Sequence, residues 1–441
     1  MPSLISHYHH ALTGSCRVPG DKSISHRSLM LAALAVGKSH ITGLLEGEDV
    51  LATADAMRAM GAVIERLSDG EWQVHGVGVG GLMSPDNIID MGNSGTSTRL
   101  LMGLVASHDI TVTMTGDASL RGRPMGRVIE PLSLVGADFT AHNATYLPIT
   151  VTGTSTPLPL DFTPQIASAQ VKSAILLAAL NTPGVTRVRE KIATRDHTER
   201  MLTSMGADIT TTQEDGCRIV SLVGQPDLKP LHLEVPGDIS SAAFLLVAAS
   251  IIPGSDVIIE NVGLNPLRTG IIGALKEMGA RIEVINQREL GGEPVCDIHV
   301  TSVRLTCVTN LTVEPSTMID EFPILFCAAA VAEGTSKFTG LEELRVKESD
   351  RLAVMAAGLK ENGVQVTESK DSIEIVGCGG KIPGGGTVAT KLDHRIAMSF
   401  AVLGQMAETA ITIDDAAPIQ TSFPVFIDLL TSLGAGLKLG K

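Results

Sequence analysis

Arg17-Val18-Pro19-Gly20-Asp21 and Glu234-Val235-Pro236-Gly237-Asp238 are one stretch written twice, 217 residues apart. Each copy leads into a Ser-containing helix start and an apolar helix, Leu29 to Val36 and Phe244 to Ile251. Each then reaches a Gly turn and a strand, Ser39 to Thr42 and Ser255 to Glu260. A shorter signature recurs six times: Met60-Gly61-Ala62-Val63, Val135-Gly136-Ala137-Asp138, Met205-Gly206-Ala207-Asp208, Met278-Gly279-Ala280-Arg281, Asn362-Gly363-Val364-Gln365 and Leu433-Gly434-Ala435-Gly436. The glycines are spaced by 75, 70, 73, 84 and 71 residues. An amphipathic run precedes each copy and a β-like run follows it. That pattern predicts a helix ended by a left-handed C′ glycine, then a strand. Two pseudo-equivalent domains, each with three copies of one α/β unit, satisfy both periods. No Ser/Pro-rich linker or charge block divides the halves, so the boundaries fall near Pro19-Gly20 and Pro236-Gly237. The strand before the first boundary is free to pack with the second half. Pro157, Pro159 and Pro164 mark a loop.

A chain of 441 residues is too long for one ordinary domain. Its net charge of −14 excludes a general attraction to nucleic acid or an anionic membrane. Apolar residues at 44% provide for a buried core, while 3% aromatics argue against base-stacking platforms. Runs such as Ala242 to Ile252 fall well short of the roughly 18 apolar residues a membrane span needs. The first ten residues carry no secretory pattern. Six cysteines without a Cys-x-x-Cys spacing read as reduced thiols of a cytoplasmic protein. The terminal His7, His9 and His10 are assigned no metal role.

Polar clusters recur at predicted helix starts. Gly20-Asp21-Lys22-Ser23-Ile24-Ser25-His26-Arg27 combines hydroxyls and cations where free N–H groups and a positive dipole end suit an anion. Ser23 and Arg27 share one face, and Lys22 and His26 the next. For Asp21 or Ser23 alone, a helix cap is the simpler reading. Gly92-Asn93-Ser94-Gly95-Thr96-Ser97-Thr98-Arg99 offers close backbone approach to a phosphate or carboxylate, yet is neither a Walker loop nor a Gly-x-Gly-x-x-Gly turn. Arg121-Gly122-Arg123-Pro124-Met125 is a basic turn. Ser168-Ala169-Gln170-Val171-Lys172-Ser173 puts hydroxyl, amide and ammonium at a helix start. Thr194-Arg195-Asp196-His197-Thr198-Glu199-Arg200 reads as a helix start with a surface charge pattern. Asp320-Glu321 beside an apolar helix is either a capping pair or a buried general base. Arg345 to Arg351 places Lys347 and Arg351 on one helical face with Glu348 adjacent, a spacing that a surface ion-pair network also explains. Leu392-Asp393-His394-Arg395 opens a further apolar helix.

Together these motifs resemble the 5-enolpyruvylshikimate-3-phosphate (EPSP) synthase family, the 3-phosphoshikimate 1-carboxyvinyltransferases, over nearly the whole chain. Gly20 to Arg27, Leu45-Glu46-Gly47-Glu48-Asp49, Arg195 to Leu202, Gly340 to Leu352 and Leu392 to Phe400 look most like its class II division. The resemblance implies an α/β fold, an inside-out α/β barrel of two similar domains, each with three βαβαββ units. It implies a first domain of residues 1–19 plus 235–441, a second of 20–234, and an active site in the cleft between them. It assigns Lys22, Ser23, Arg27, Ser168, Ala169, Gln170, Arg195, Asp320 and Lys347 to shikimate 3-phosphate. It assigns Lys22, Gly95, Arg123, Gln170, Arg351 and Arg395 to phosphoenolpyruvate, and proton transfer to Asp320, Glu348 and Lys22. No cofactor or metal is implied, and the protein is expected to act as a monomer.

Three positions depart from family patterns. Gly95 matches glyphosate-sensitive members where some tolerant ones carry Ala. Thr421-Ser422-Phe423-Pro424 lacks the Lys that many members have before Phe-Pro. Glu343 stands in place of Asn. The related transferase acting on UDP-N-acetylglucosamine usually carries a cysteine in the loop corresponding to Gly116 to Arg127, and this loop has none. A non-catalytic phosphometabolite binder would need the cations but not Asp320 and Glu348. Eight cations, Lys22, Arg27, Arg99, Arg123, Arg195, Lys347, Arg351 and Arg395, lie in these motifs; without them the count is 26 − 48 = −22. The two substrates carry about five to six negative charges, at about two per phosphate and one per carboxylate. An acidic chain with a concentrated basic site is thus expected.

Overall fold

The computed structural model describes residues 2–440; Met1 and Lys441, the outer limits of the expected first domain, lie outside the described residues. The fold is α/β, and the chain divides into two compact units. One holds the residues up to Pro19, Pro236–Arg288 and the residues from Pro294 onward. The other holds Gly20–Val235 and the short stretch Glu289–Glu293.

The Gly20–Val235 unit is built from three four-stranded sheets of one pattern. In the first, His232–Glu234 pairs parallel with Val36–Thr42, which pairs antiparallel with Glu71–Val77, and that with Val63–Ser68. The second repeats this with Ile89–Asp90, Thr111–Thr115, Tyr146–Thr152 and Asp138–His142. The third does so with Asp161–Phe162, Val185–Glu190, Cys217–Val223 and Ile209–Glu214. Alternation sets the faces: Trp72 and Val74 of Glu71–Val77 point into the core.

Helices Lys22–Leu34, Gly95–Ala106 and Ala169–Leu180 pack together within the unit and are buried almost all round. A helix without a polar face must lie inside. Each fully buried Leu or Ile contributes about 1.5–3 kcal/mol. Two of these helices approach so closely that a Cβ on Gly103 would sit 2.2 Å from the Ala174 carbonyl oxygen. Outer helices are amphipathic: Gly126–Val135 buries only Val128, Pro131, Leu132 and Val135.

The other unit repeats the scheme with helices Ile239–Ile251, Phe322–Val331 and His394–Leu403. All thirteen residues of the first and all ten of the second are buried. Its N-terminal strands are shared between sheets. Thr13–Arg17 runs parallel to Asp256–Gly263, while Leu4–His7 lies between Ile411–Ile413 and Gly436–Leu439, antiparallel to both.

The six signature glycines, Gly61, Gly136, Gly206, Gly279, Gly363 and Gly434, all have positive φ, from 81° to 125°, just after a helix. One boundary differs from expectation. The first long helix stops at Leu34, and Val36 already belongs to the following strand, because Ala35 between them is already extended, at φ −79° and ψ 160°.

Candidate active site

In both units the polar motifs lie at the N-terminal ends of the central helices, where unpaired N–H groups favour anions. In the Gly20–Val235 unit, Asp21 is the helix cap, its Oδ1 accepting from the Ile24 N–H at 2.8 Å. Lys22 follows, its ammonium paired with the buried carboxylate of Asp49. Arg27 is buried and held from three sides: it donates to Thr198 Oγ1 at 2.7 Å, Ser173 Oγ at 2.7 Å and the Ser23 carbonyl at 2.9 Å. His26, one turn after Lys22, is fully buried. Its Nδ1 lies 2.7 Å from Thr53 Oγ1 and 3.1 Å from Ser97 Oγ. Burial, then the charges of Lys22 and Arg27, push its pKa well below the usual imidazole range, so it is a neutral brace.

Ser94 caps the helix that begins at Gly95, and Ser168 the helix that begins at Ala169. Arg99 reaches between them, donating to Gln170 Oε1 at 3.1 Å, while Gln170 Nε2 donates to Thr96 Oγ1 at 3.0 Å. Arg123 is fixed by Asn93 Oδ1 at 2.5 Å and Ser119 Oγ at 3.0 Å. Gly95 lies under both arginines: a Cβ there would be 2.9 Å from Arg99 Nη1 and 3.2 Å from Arg123 Nη1. Arg195 is half-buried on the irregular segment before helix His197–Ser204.

In the other unit, Arg351 is the hub. Its guanidinium is 1% exposed and meets three carboxylates: Asp393 at 2.9 Å, Asp320 at 3.2 Å, and Glu348. Burial opposes its charge, but Asp393, Glu348 and Asp320 outweigh that and push its pKa up, so it stays a fixed cation. Lys347 Nζ lies 3.0 Å from Asp320 Oδ1. Arg395 donates to the Asp320 carbonyl at 2.9 Å and lies 3.6 Å from Glu321. Glu321 is buried and accepts from Ser240.

Two sequence expectations are corrected. Lys347 and Arg351 do not share a helical face, because Glu342–Val346 is a 3-10 turn and the α-helix begins at Arg351, capped by Asp350. They converge through Asp320 instead. The run Thr194 to Arg200 is not a surface pattern either: Asp196, His197, Thr198 and Glu199 are buried. Sequence reasoning gave no pairing role to Asp49 or Asp393. Their partners lie 27 and 42 residues away, and no periodicity marks such contacts. Lys172, noted as an ammonium at a helix start, is turned inward to Glu190 and Glu199. The lysine-less segment before Pro424 buries Phe423 completely. Among the described residues no group of three or more His, Cys, Asp or Glu could hold a metal, and no helix is long and apolar enough to cross a membrane.

This arrangement of repeated sheets and buried helices is a fold shared with a solved enolpyruvyl transferase. The solved enolpyruvyl transferase NikO from Streptomyces tendae matches with a TM-score of 0.77, covering 100% of this chain and 99% of that chain, at only 17% identity. The family itself follows from closer relatives. The model of EPSP synthase (3-phosphoshikimate 1-carboxyvinyltransferase) matches residues 7–430. A relative named 3-phosphoshikimate 1-carboxyvinyltransferase from Zymomonas mobilis is 59% identical over 444 residues, covering 99% of this chain and 97% of its own. Its namesake from Sphingopyxis alaskensis is 59% identical over 431 residues, 96% of each chain. A solved EPSP synthase from Acinetobacter baumannii has a TM-score of 0.88 at 45% identity, with 100% of both chains covered. The chain belongs to the EPSP synthase family.

Proposed function

We infer that the protein transfers the enolpyruvyl group of phosphoenolpyruvate to the 5-hydroxyl of shikimate 3-phosphate, releasing phosphate, in the shikimate pathway to chorismate and the aromatic amino acids. Identity of 59% to relatives named for this reaction supports the reading. The fold is read as an inside-out α/β barrel in each unit, supported by helices that lie buried while the sheets flank them. The six free cysteines support a cytoplasmic setting.

Lys22, Ser23, Arg27, Ser168, Ala169, Gln170 and Arg195 would hold shikimate 3-phosphate, with Asp320 and Lys347. Lys22, Gly95, Arg123, Gln170, Arg351 and Arg395 would hold phosphoenolpyruvate. The reading requires both units to act on one pair of substrates. Guanidinium groups suit this task because they bind phosphate and carboxylate bidentately and never lose their charge.

The enol methylene of phosphoenolpyruvate takes a proton from Glu348, assisted by Lys22, and becomes a methyl group. The 5-hydroxyl oxygen bonds to the neighbouring carbon while Asp320 takes its proton. From the resulting tetrahedral ketal, a methyl proton returns to the Glu348 side, the carbon–oxygen bond to phosphate breaks, and phosphate leaves. Acid and base must therefore exchange roles within one turnover. Arg351, held by carboxylates, and Arg395, held by the Asp320 carbonyl and near Glu321, need little reorganisation as charge moves, which is the economical way to stabilise it.

The observation that carries the roles is the convergence of Asp320, Lys347, Glu348 and Arg351. Anion binding alone has use for the cations and none for Asp320 and Glu348. The test is phosphate release from phosphoenolpyruvate with shikimate 3-phosphate or with UDP-N-acetylglucosamine as acceptor. Release with the first acceptor only is expected; release with the second only, or with neither, would sink the reading.

A further inference from the structure

Beneath the residues assigned to shikimate 3-phosphate lies a buried ion cluster with no part in the chemistry. Lys172 is completely buried on helix Ala169–Leu180. Its Nζ lies 3.0 Å from Glu190 Oε2, at the end of strand Val185–Glu190. It lies 2.8 Å from Glu199 Oε1, in helix His197–Ser204. Arg218 adds a second cation, 3.7 Å from Glu190 and 3.9 Å from Glu199. Burying such charges costs several kcal/mol unless they are mutually satisfied, so a bare structural role could be filled as well by apolar side chains.

The cluster closes on one residue. Every polar group of Thr194 is bound by it. The Thr194 N–H donates to Glu190 Oε1 at 3.2 Å, and its hydroxyl donates to the same oxygen. Its carbonyl accepts from Lys172 Nζ at 3.1 Å and Arg218 Nη1 at 3.4 Å. On the far side of Arg195, Asp196 is held by Arg200 at 3.0 Å and lies 3.7 Å from Arg218. Arg195 therefore projects from a segment without regular structure whose two flanking residues are pinned by charge.

We propose that Lys172, Glu190 and Thr194 are positioning residues that set Arg195 for the acceptor phosphosugar-like acid, and so govern acceptor affinity without touching substrate. The proposal rests on the reading of Arg195 as an acceptor contact. A guanidinium on a loose loop loses conformational freedom on each binding event; one on a clamped loop has already lost it.

The test is steady-state kinetics with both substrates varied, on Thr194→Val, Thr194→Ser, Arg195→Met and the Thr194→Val/Arg195→Met double variant. Thr194→Val keeps shape but removes the hydroxyl held by Glu190. It should raise KM for shikimate 3-phosphate about fivefold to tenfold, with KM for phosphoenolpyruvate within twofold of the parent. Thr194→Ser restores a hydroxyl and should stay near the parent. In the Arg195→Met background Thr194→Val should add nothing, because its effect passes through Arg195. Equal rises in both KM values, or full additivity in the double variant, would overturn the proposal. If Arg195→Met leaves the acceptor KM unchanged, the underlying reading of Arg195 fails. If it raises that KM while Thr194→Val does not, the clamp alone fails. Lys172→Met with Glu199→Gln, which removes one charge of each sign, should reproduce the Thr194→Val pattern; a fall in melting temperature without a KM change would assign the cluster to stability alone.

Discussion

Asp320 sits between Lys347 at 3.0 Å and Arg351 at 3.2 Å, so its substitution takes a partner from the partly exposed Lys347 but leaves the buried Arg351 paired. Arg351 keeps Asp393 and Glu348. Asp320→Asn should therefore fold normally, bind phosphoenolpyruvate nearly as the parent does, and lose about 10²–10⁴-fold in kcat, the range general base catalysis supplies. Isothermal titration beside turnover separates the two quantities; parallel loss of both would mean a structural carboxylate. Gly95 is the second residue with a sharp expectation. An added methyl must displace the ends of Arg99 and Arg123, and Arg99 is tied to Gln170 at 3.1 Å. Gly95→Ala should weaken glyphosate inhibition at least tenfold and raise KM for phosphoenolpyruvate severalfold; equal inhibition constants for the two proteins would refute it. At this scale the sequence displayed residue types well and pairings poorly. Lys22, Arg27 and Arg351 stand out beside helix starts, but Asp49 and Asp393 acquire meaning only through folding. His26, which the sequence placed one turn from Lys22 without a role, is claimed at its Nδ1 by Thr53 and Ser97.

Elements carry their own consequences. Asp393 both caps helix His394–Leu403, accepting from the Arg395 N–H at 3.0 Å, and holds the buried Arg351. Asp393→Ala removes a cap and strands a cation, so unfolding free energy should fall by about 3–5 kcal/mol in urea titration. Glu46 offers a pH-dependent case. Burial raises its pKa, but Arg66, the Gly70 N–H and the Trp72 indole together lower it below the ordinary 4.5. A carboxyl depressed in the folded state binds fewer protons there than in the unfolded chain. Its stabilising contribution is present above about pH 4.5 and lost as pH falls through the lower folded value. Glu46→Gln should lower stability at neutral pH and converge with the parent at low pH, which flattens that part of the acid stability profile; an unaltered acid limb would count against the clamp. Periodicity exposed the elements because each of the six signature helices is followed by a glycine with positive φ. It misplaced Lys347 because a helical reading of Arg345 to Arg351 ignores Arg345, which ties back to Asp350 and Glu368 and holds the turn short of an α-helix.

For the whole molecule, the 217-residue repeat announced two similar halves, and both units show the same scheme of sheets around three buried helices. What it concealed is how one sheet is completed. Leu4–His7 fills the middle of a sheet whose outer strand is Gly436–Leu439. Removing the residues from Gly436 onward should expose Leu4–His7 as an unpaired edge, lower the thermal midpoint by several degrees and promote aggregation. A truncated chain as stable as the parent would show that the strand contributes little. The same sheet has a temporal meaning. A ribosome releases Leu4–His7 ahead of Gly436–Leu439 by 429 residues (436 − 7). The unit of Gly20–Val235 and Glu289–Glu293 has all its residues well before Gly436–Leu439 is made. Leu4–His7 must wait for all of those intervening residues before its final strand partner exists, so a strand made ahead of that unit gains its full pairing only after it.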